Sequence, residues 1–118
     1  MGKKTINPKD FVGKKPVGFL LNNSFVEAES FTDLTLKTLK ELYQLDESIL
    51  LDLAGKNFRF KGKSPLISYA DWDMNRGAKI PETDIFVEMH HSTVSILTFL
   101  NAVIEKYDQV NCYEIKVK

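Results

Sequence analysis

The stretch TDIFVEMHHSTVSILTFLNAVIEKYDQVNCYEIKVK, Thr83 to Lys118, decides the fold class. Ile85, Phe86 and Val87 form an apolar run of strand length. Ser92 then offers an oxygen to cap a helix, and Val94, Leu97, Leu100, Val103, Ile104 and Tyr107 recur at the spacing of one helical face. Asp108 to Asn111 breaks the stripe. Beyond it Tyr113, Ile115 and Val117 alternate with Glu114 and Lys116, the two-residue period of a strand with one wet face. The segment predicts strand, helix, strand, which is a statement about fold and carries no chemistry.

Upstream, the same kinds of signal recur. Gly18 to Leu21 and Phe25 to Ala28 flank Asn22, Asn23 and Ser24, residues that tolerate positive φ and suit a hairpin turn. Ser30 stands before Phe31 with Asp33 three positions on, and Phe31, Leu34, Leu39, Leu42 and Tyr43 follow at helical spacing, predicting a helix over Phe31 to Tyr43. Asp46 caps a second, shorter helix with Ile49, Leu50 and Leu53, ended by Gly55. Phe58 with Phe60, and Leu66 to Tyr69, read as two further strands split by the turn formers Gly62 to Pro65. Asp71 to Lys79 has neither period and reads as an irregular loop. The expectation is a single small α+β domain, mainly antiparallel sheet with two to three helices, in the order β-β-α-α-β-β-β-α-β.

Composition agrees with one core. The chain has 118 residues, of which 43% are hydrophobic, the ordinary proportion for a globular domain able to fold without staples. Cys112 is the only cysteine, so an intrachain disulfide is impossible and a buried, inert thiol is expected. No run approaches the roughly 18 apolar residues of a membrane span, and the N-terminus lacks a signal-peptide core, so a cytoplasmic protein is expected. Formal net charge is zero, yet Lys3, Lys4, Lys9, Lys14 and Lys15 face Asp10 alone at the N-terminus. Residues 1–16 therefore read as a basic, mobile or loosely docked arm, and residues 17–118 as the domain.

Phe19 to Leu34, FLLNNSFVEAESFTDL, and Thr83 to Ile96, TDIFVEMHHSTVSI, together resemble a small α+β accessory domain of bacterial restriction, nuclease and related defence proteins. Ser30, Phe31, Asp33 and Leu34 match that family's first helix start. Phe86, Val87, Glu88, Ser92, Ser95 and Ile96 match its later strand and helix. The resemblance implies a defence setting and brings no catalytic residue with it.

Three constellations bear on function. Glu88 and His90 would share one face of an extended segment, where a carboxylate can orient an imidazole for base catalysis, while His91 points the other way. Asp71 and Asp73 flank Trp72 and could hold a divalent cation with help from Glu82 or Asp84, the basis of a metal-dependent nuclease alternative that would use some subset of Asp71, Asp73, Glu88, His90 and His91; Glu114-Ile115-Lys116 has the E-x-K spacing of a nuclease but is a common pattern. Lys56, Arg59, Lys61 and Lys63 interleave with Phe58 and Phe60, and with the arm would attract phosphates. The glycines form no phosphate-cradling loop, so no nucleotide or other cofactor is expected. Tyr69, Trp72, Met74 and Arg76 are the candidate partner-binding loop, since aromatic side chains concentrate interface energy. The sequence favours a non-enzymatic interaction module for a nucleic acid or a protein, with a small hydrolase or an inhibitor that caps a larger enzyme as alternatives.

Overall fold

The computed structural model describes residues 6–56, 58, 66–70, 74 and 76–118. Two asparagines make its first hairpin turn. Asn22 and Asn23 adopt φ of 49° and 74°, the left-handed region that a two-residue hairpin requires at both positions and that asparagine tolerates. They join β1 (Pro16–Leu21) to β2 (Ser24–Glu27), with Leu21 opposite Ser24. The Asn22 carboxamide also reaches across the chain. Its Oδ1 accepts from the amides of Asn111 (2.7 Å) and Cys112 (3.2 Å), and its Nδ2 donates to the Gln109 carbonyl at 2.8 Å. Those bonds lead the chain into β6 (Tyr113–Val117), antiparallel to β1, so the first sheet has the order β2-β1-β6.

Between β2 and β6 lie three helices and a second sheet. The helix α1 (Phe31–Leu45) is capped by the Ser30 hydroxyl, which accepts from the Asp33 amide. Asp46 ends α1 and caps α2 (Glu47–Gly55), accepting from the Ser48 amide. The Ser48 bonds hold the Asp46 carboxyl below its usual range. The strands β3 (Ile67–Ser68), β4 (Gly77–Lys79) and β5 (Phe86–Glu88) pair antiparallel in the order β3-β5-β4. Ser92 caps α3 (Thr93–Ile104). The element order is the one read from the sequence, with the antiparallel strands divided between two three-stranded sheets.

One strand has a different address from the one expected. Phe58 lies outside any strand and Phe60 falls outside the described residues, whereas β4 occupies Gly77–Lys79, within the stretch read as an irregular loop. The backbone explains the difference. Gly77, Ala78 and Lys79 are largely exposed and lack apolar alternation, so their side chains give no strand signal, and pairing with Glu88, Val87 and Phe86 makes the strand.

All the buried apolar side chains among the described residues belong to one cluster. Phe19, Leu21, Tyr113 and Ile115 line the inner face of the first sheet, Leu34, Leu39 and Leu42 come from α1, and Leu97, Leu100, Val103 and Ile104 from α3. Two threonines of α1 are also fully buried. Thr35 returns its hydroxyl to the Phe31 carbonyl at 2.7 Å, and Thr38 shares a 2.8 Å hydrogen bond with the Tyr113 hydroxyl. Residues Ile6 to Phe11 of the predicted arm lie on the domain. The Asn101 side chain exchanges hydrogen bonds with the main chain of Ile6, and Phe11 meets Phe31 edge to face at 6.3 Å.

Burial raises both interior phenols, Tyr107 and Tyr113, above the usual value of 10.0; near Tyr107 the Asp46 carboxylate adds to the effect. The folded state thus prefers the neutral phenols. Their contribution to stability is complete below the unfolded value and is lost as pH rises past it. Urea midpoints are expected to hold steady to about pH 9 and to fall above pH 10, with a shallower fall in Tyr107→Phe and Tyr113→Phe. An unchanged alkaline slope in both variants would contradict this.

Candidate interaction surface

Among the described residues, those that suggested chemistry are spent on structure or held apart. Glu88 is 5% exposed, and its Oε2 accepts from the Arg76 amide at 2.8 Å and the His90 amide at 3.1 Å. The Met89 amide adds a bond to the Arg76 carbonyl. Glu88 therefore grips the main chain of His90 and not its ring, and in doing so ties the start of β4 to the end of β5. Both histidines are exposed, and Asp71 and Asp73 lie outside the described residues. Glu82 pairs with Lys40 at 3.0 Å, Asp84 lies near Tyr43, and Glu114 pairs with Lys116 at 3.0 Å on the outer face of β6. Among the described residues no group of three His, Cys, Asp or Glu side chains is placed to share a metal ion. Cys112, expected to be buried, is exposed because it precedes β6 at the surface turn that Asn22 holds.

Ile6 and Phe58 dock on two flanks of α3. On one flank Asn101 holds Ile6, the start of the described part of the arm. On the other, Phe58 packs on Phe99 at 6.1 Å and Lys106 lies 5.9 Å over the Phe58 ring. Phe99 and Asn101 are two residues apart, so their side chains leave the helix roughly 160° apart. Lys9, Lys14 and Lys15 are exposed and enter no ion pair among the described residues, while Lys56 pairs with Asp52 at 2.9 Å. Lys3, Lys4, Arg59, Lys61 and Lys63 fall outside the described residues, as does Trp72.

Lys15 instead joins Lys118 beside an open groove of about 480 Å³, lined also by Pro16, Glu27, Glu29 and Lys37. Lys37 is already committed there, donating to the Glu27 carbonyl at 2.9 Å and pairing with Asp33 at 3.2 Å. The mixed signs around the groove suit no single charge of ligand.

The partner-loop candidates are likewise separated. Ser68 stands opposite Phe86 and Gly77 opposite Glu88, with β5 between their strands. Tyr69 and Arg76 therefore sit at opposite ends of the second sheet, roughly 15 Å apart by strand spacing and rise. Met74 lies between them in the chain and is partly buried. Tyr69 meets different company. It is 47% exposed, its hydroxyl donates to the Leu51 carbonyl of α2 at 3.3 Å, and it acts electrostatically on Tyr43 of α1, as Glu47 and Asp84 also do. Partial burial and then the Glu47 carboxylate hold the Tyr43 phenol above its usual value. The result is a corner of two tyrosines and two carboxylates drawn from both helices and both ends of the β4 connection. Sequence reading named Tyr69 but not Tyr43, Glu47 and Asp84 with it, because no local spacing links positions 43, 47, 69 and 84.

A second exposed apolar spot lies on the outer face of the first sheet. Phe25 is 50% exposed beside half-buried Leu20, its partner across the hairpin, with Glu27, Glu114 and Lys116 around them. No helix among the described residues is long and apolar enough to cross a membrane. No protein-family model matches the chain, and comparison with curated proteins and with solved structures likewise finds no match.

Proposed function

We propose that the protein is a non-enzymatic interaction module that recognises a protein partner through the Tyr43 and Tyr69 corner. One observation carries the reading: Tyr69 is half exposed while its hydroxyl is anchored to the main chain of α2, so an aromatic face is offered to a partner with little rotamer freedom left to lose. Glu47 and Asp84, whose charges act on the Tyr43 phenol, favour a partner whose contacting surface is apolar with a basic rim. The resemblance of Phe19 to Leu34 and Thr83 to Ile96 to accessory domains of bacterial defence proteins is what suggests a bacterial or phage defence setting. A small inhibitor that caps a larger enzyme is one form this function takes. The use of Glu88 on main-chain amides supports recognition over hydrolysis at that position.

A nucleic-acid partner is the second reading, favoured by the unpaired, exposed Lys9, Lys14 and Lys15. Capture from a lysate of the source cells separates the two. The protein reading expects one partner, retained after nuclease treatment and by Lys9→Ala, Lys14→Ala and Lys15→Ala combined, and lost with Tyr69→Ala. Retention that is lost with nuclease or with the lysine variant, and is indifferent to Tyr69, would replace it with the nucleic-acid reading.

A further inference from the structure

The first sheet has two edges, and they are not equally open. In an antiparallel ladder, successive residues turn their N–H and C=O groups alternately toward one neighbour and the other. The tight turn makes Leu21 and Ser24 a hydrogen-bonded pair, and the Ala28 amide donates to the Val17 carbonyl. Phe25 and Glu27 of β2 therefore face outward. The Lys37 ammonium already occupies the Glu27 carbonyl, which places a charged side chain where an added strand would have to bond.

The edge of β6 carries no such guard. The Asn22 amide donates to the Cys112 carbonyl at one end of the ladder, and the Lys118 amide to the Lys15 carbonyl at the other. Glu114 and Lys116 lie opposite Leu20 and Gly18 within it. Cys112, Glu114, Lys116 and Lys118 thus turn toward β1, leaving the main-chain groups of Tyr113, Ile115 and Val117 facing away. Those groups have no hydrogen-bond partner among the described residues, and β6 has no strand neighbour but β1.

We infer that this edge pairs with the same edge of a second copy of the chain, antiparallel about Ile115, so that the two first sheets join into one. The register is self-complementary at both levels. Ile115 falls opposite Ile115 of the second copy and Tyr113 opposite its Val117, so every residue with a free edge amide meets another of the same kind. On the outer face Glu114 falls opposite Lys116 of the second copy, and Lys116 opposite its Glu114. Opposite charges directly across strands stabilise such a pair, and the twofold axis repeats the match. On the inner face the meeting side chains are all apolar or aromatic. A shift of two residues in either direction sets Glu114 or Lys116 against its own kind, so the charges select this register.

Sedimentation of the full chain from micromolar to millimolar concentration tests the inference. A concentration-dependent dimer is expected. Glu114→Lys sets like charges across both outer pairs and is expected to weaken the dimer roughly tenfold or more. Adding Lys116→Glu to it restores opposite charges in the same register, and with them the dimer. Val117→Pro removes an amide that the monomer does not use and is expected to abolish pairing. A chain monomeric at millimolar concentration overturns the inference, as does a dimer indifferent to the charge reversal. If Val117→Pro does not fold, amide exchange in the unaltered chain decides. Protection of Tyr113, Ile115 and Val117 that rises with concentration supports the pairing, and exchange independent of concentration refutes it.

Discussion

Gly18→Val is expected to destabilise the fold by about 3 kcal/mol, the upper part of the range for forcing extra carbon into a packed site. Gly18 occupies β1, the central strand of the first sheet, on the outer face. A Cβ there would run into the Val26 carbonyl oxygen of β2 and would come within 2.6 Å of the Phe25 ring. The two obstacles differ in kind. Phe25 is half exposed and can swing aside, whereas the Val26 oxygen belongs to the hairpin ladder and moves only if β2 moves. Urea unfolding of Gly18→Val with and without Phe25→Ala distinguishes them. The combined variant is expected to stay nearly as unstable as Gly18→Val alone. Recovery of most of the loss would mean that the ring, and not the backbone, forbids a side chain at position 18.

Glu88→Ala is expected to cost a similar amount, about 3 kcal/mol, for the opposite reason. The alanine would leave the amides of Arg76 and His90 without the charged acceptor they share, and a hydrogen bond to a charged group contributes about 1.5–3 kcal/mol. The loss should fall where the side chain acts. Faster amide exchange is expected in Ala78 of β4 and in Ile80 just beyond it, whose amide donates to the Ile85 carbonyl, with little change in α1. Glu88→Gln keeps one oxygen for both donors and is expected to lose less than half as much. A catalytic carboxylate behaves differently, since both substitutions would then abolish an activity while urea midpoints stayed near the parent's. Equal stability of all three proteins would remove the structural role assigned to Glu88.

These two sites show where the sequence was legible and where it was not. The caps were visible because the physics of a helix end is local: Ser30, Asp46 and Ser92 each accept from the amide two or three residues on, as their spacing indicates. The Asn22 and Asn23 turn was visible for the same reason. The stripe through Leu97, Leu100, Val103 and Ile104 announced α3, since burial on one helical face imposes its period on the side chains. By contrast, β4 is made by backbone pairing and a carboxylate twelve residues away, neither of which leaves a period in Gly77–Lys79. The docking of Ile6 on Asn101 joins positions 95 apart in the chain. Glu88 looked like half of a catalytic pair because alternation put it on the face of His90. The strand ends there, and the carboxylate turns to the main chain instead. Tyr69 was legible as an exposed aromatic, but the corner that gives it meaning depends on how α1, α2 and the β4 to β5 connection meet in space.

The recognition account stands or falls on what touches Tyr69. A photoreactive phenylalanine analogue placed at position 69, and in a parallel chain at position 14 of the arm, would trap the neighbour of each surface on irradiation in the source cells. The account predicts a single protein adduct from position 69, absent when Asp84→Lys reverses the charge that acts on Tyr43, and no comparable adduct from position 14. Nucleic-acid adducts from position 14 with none from position 69 would contradict it.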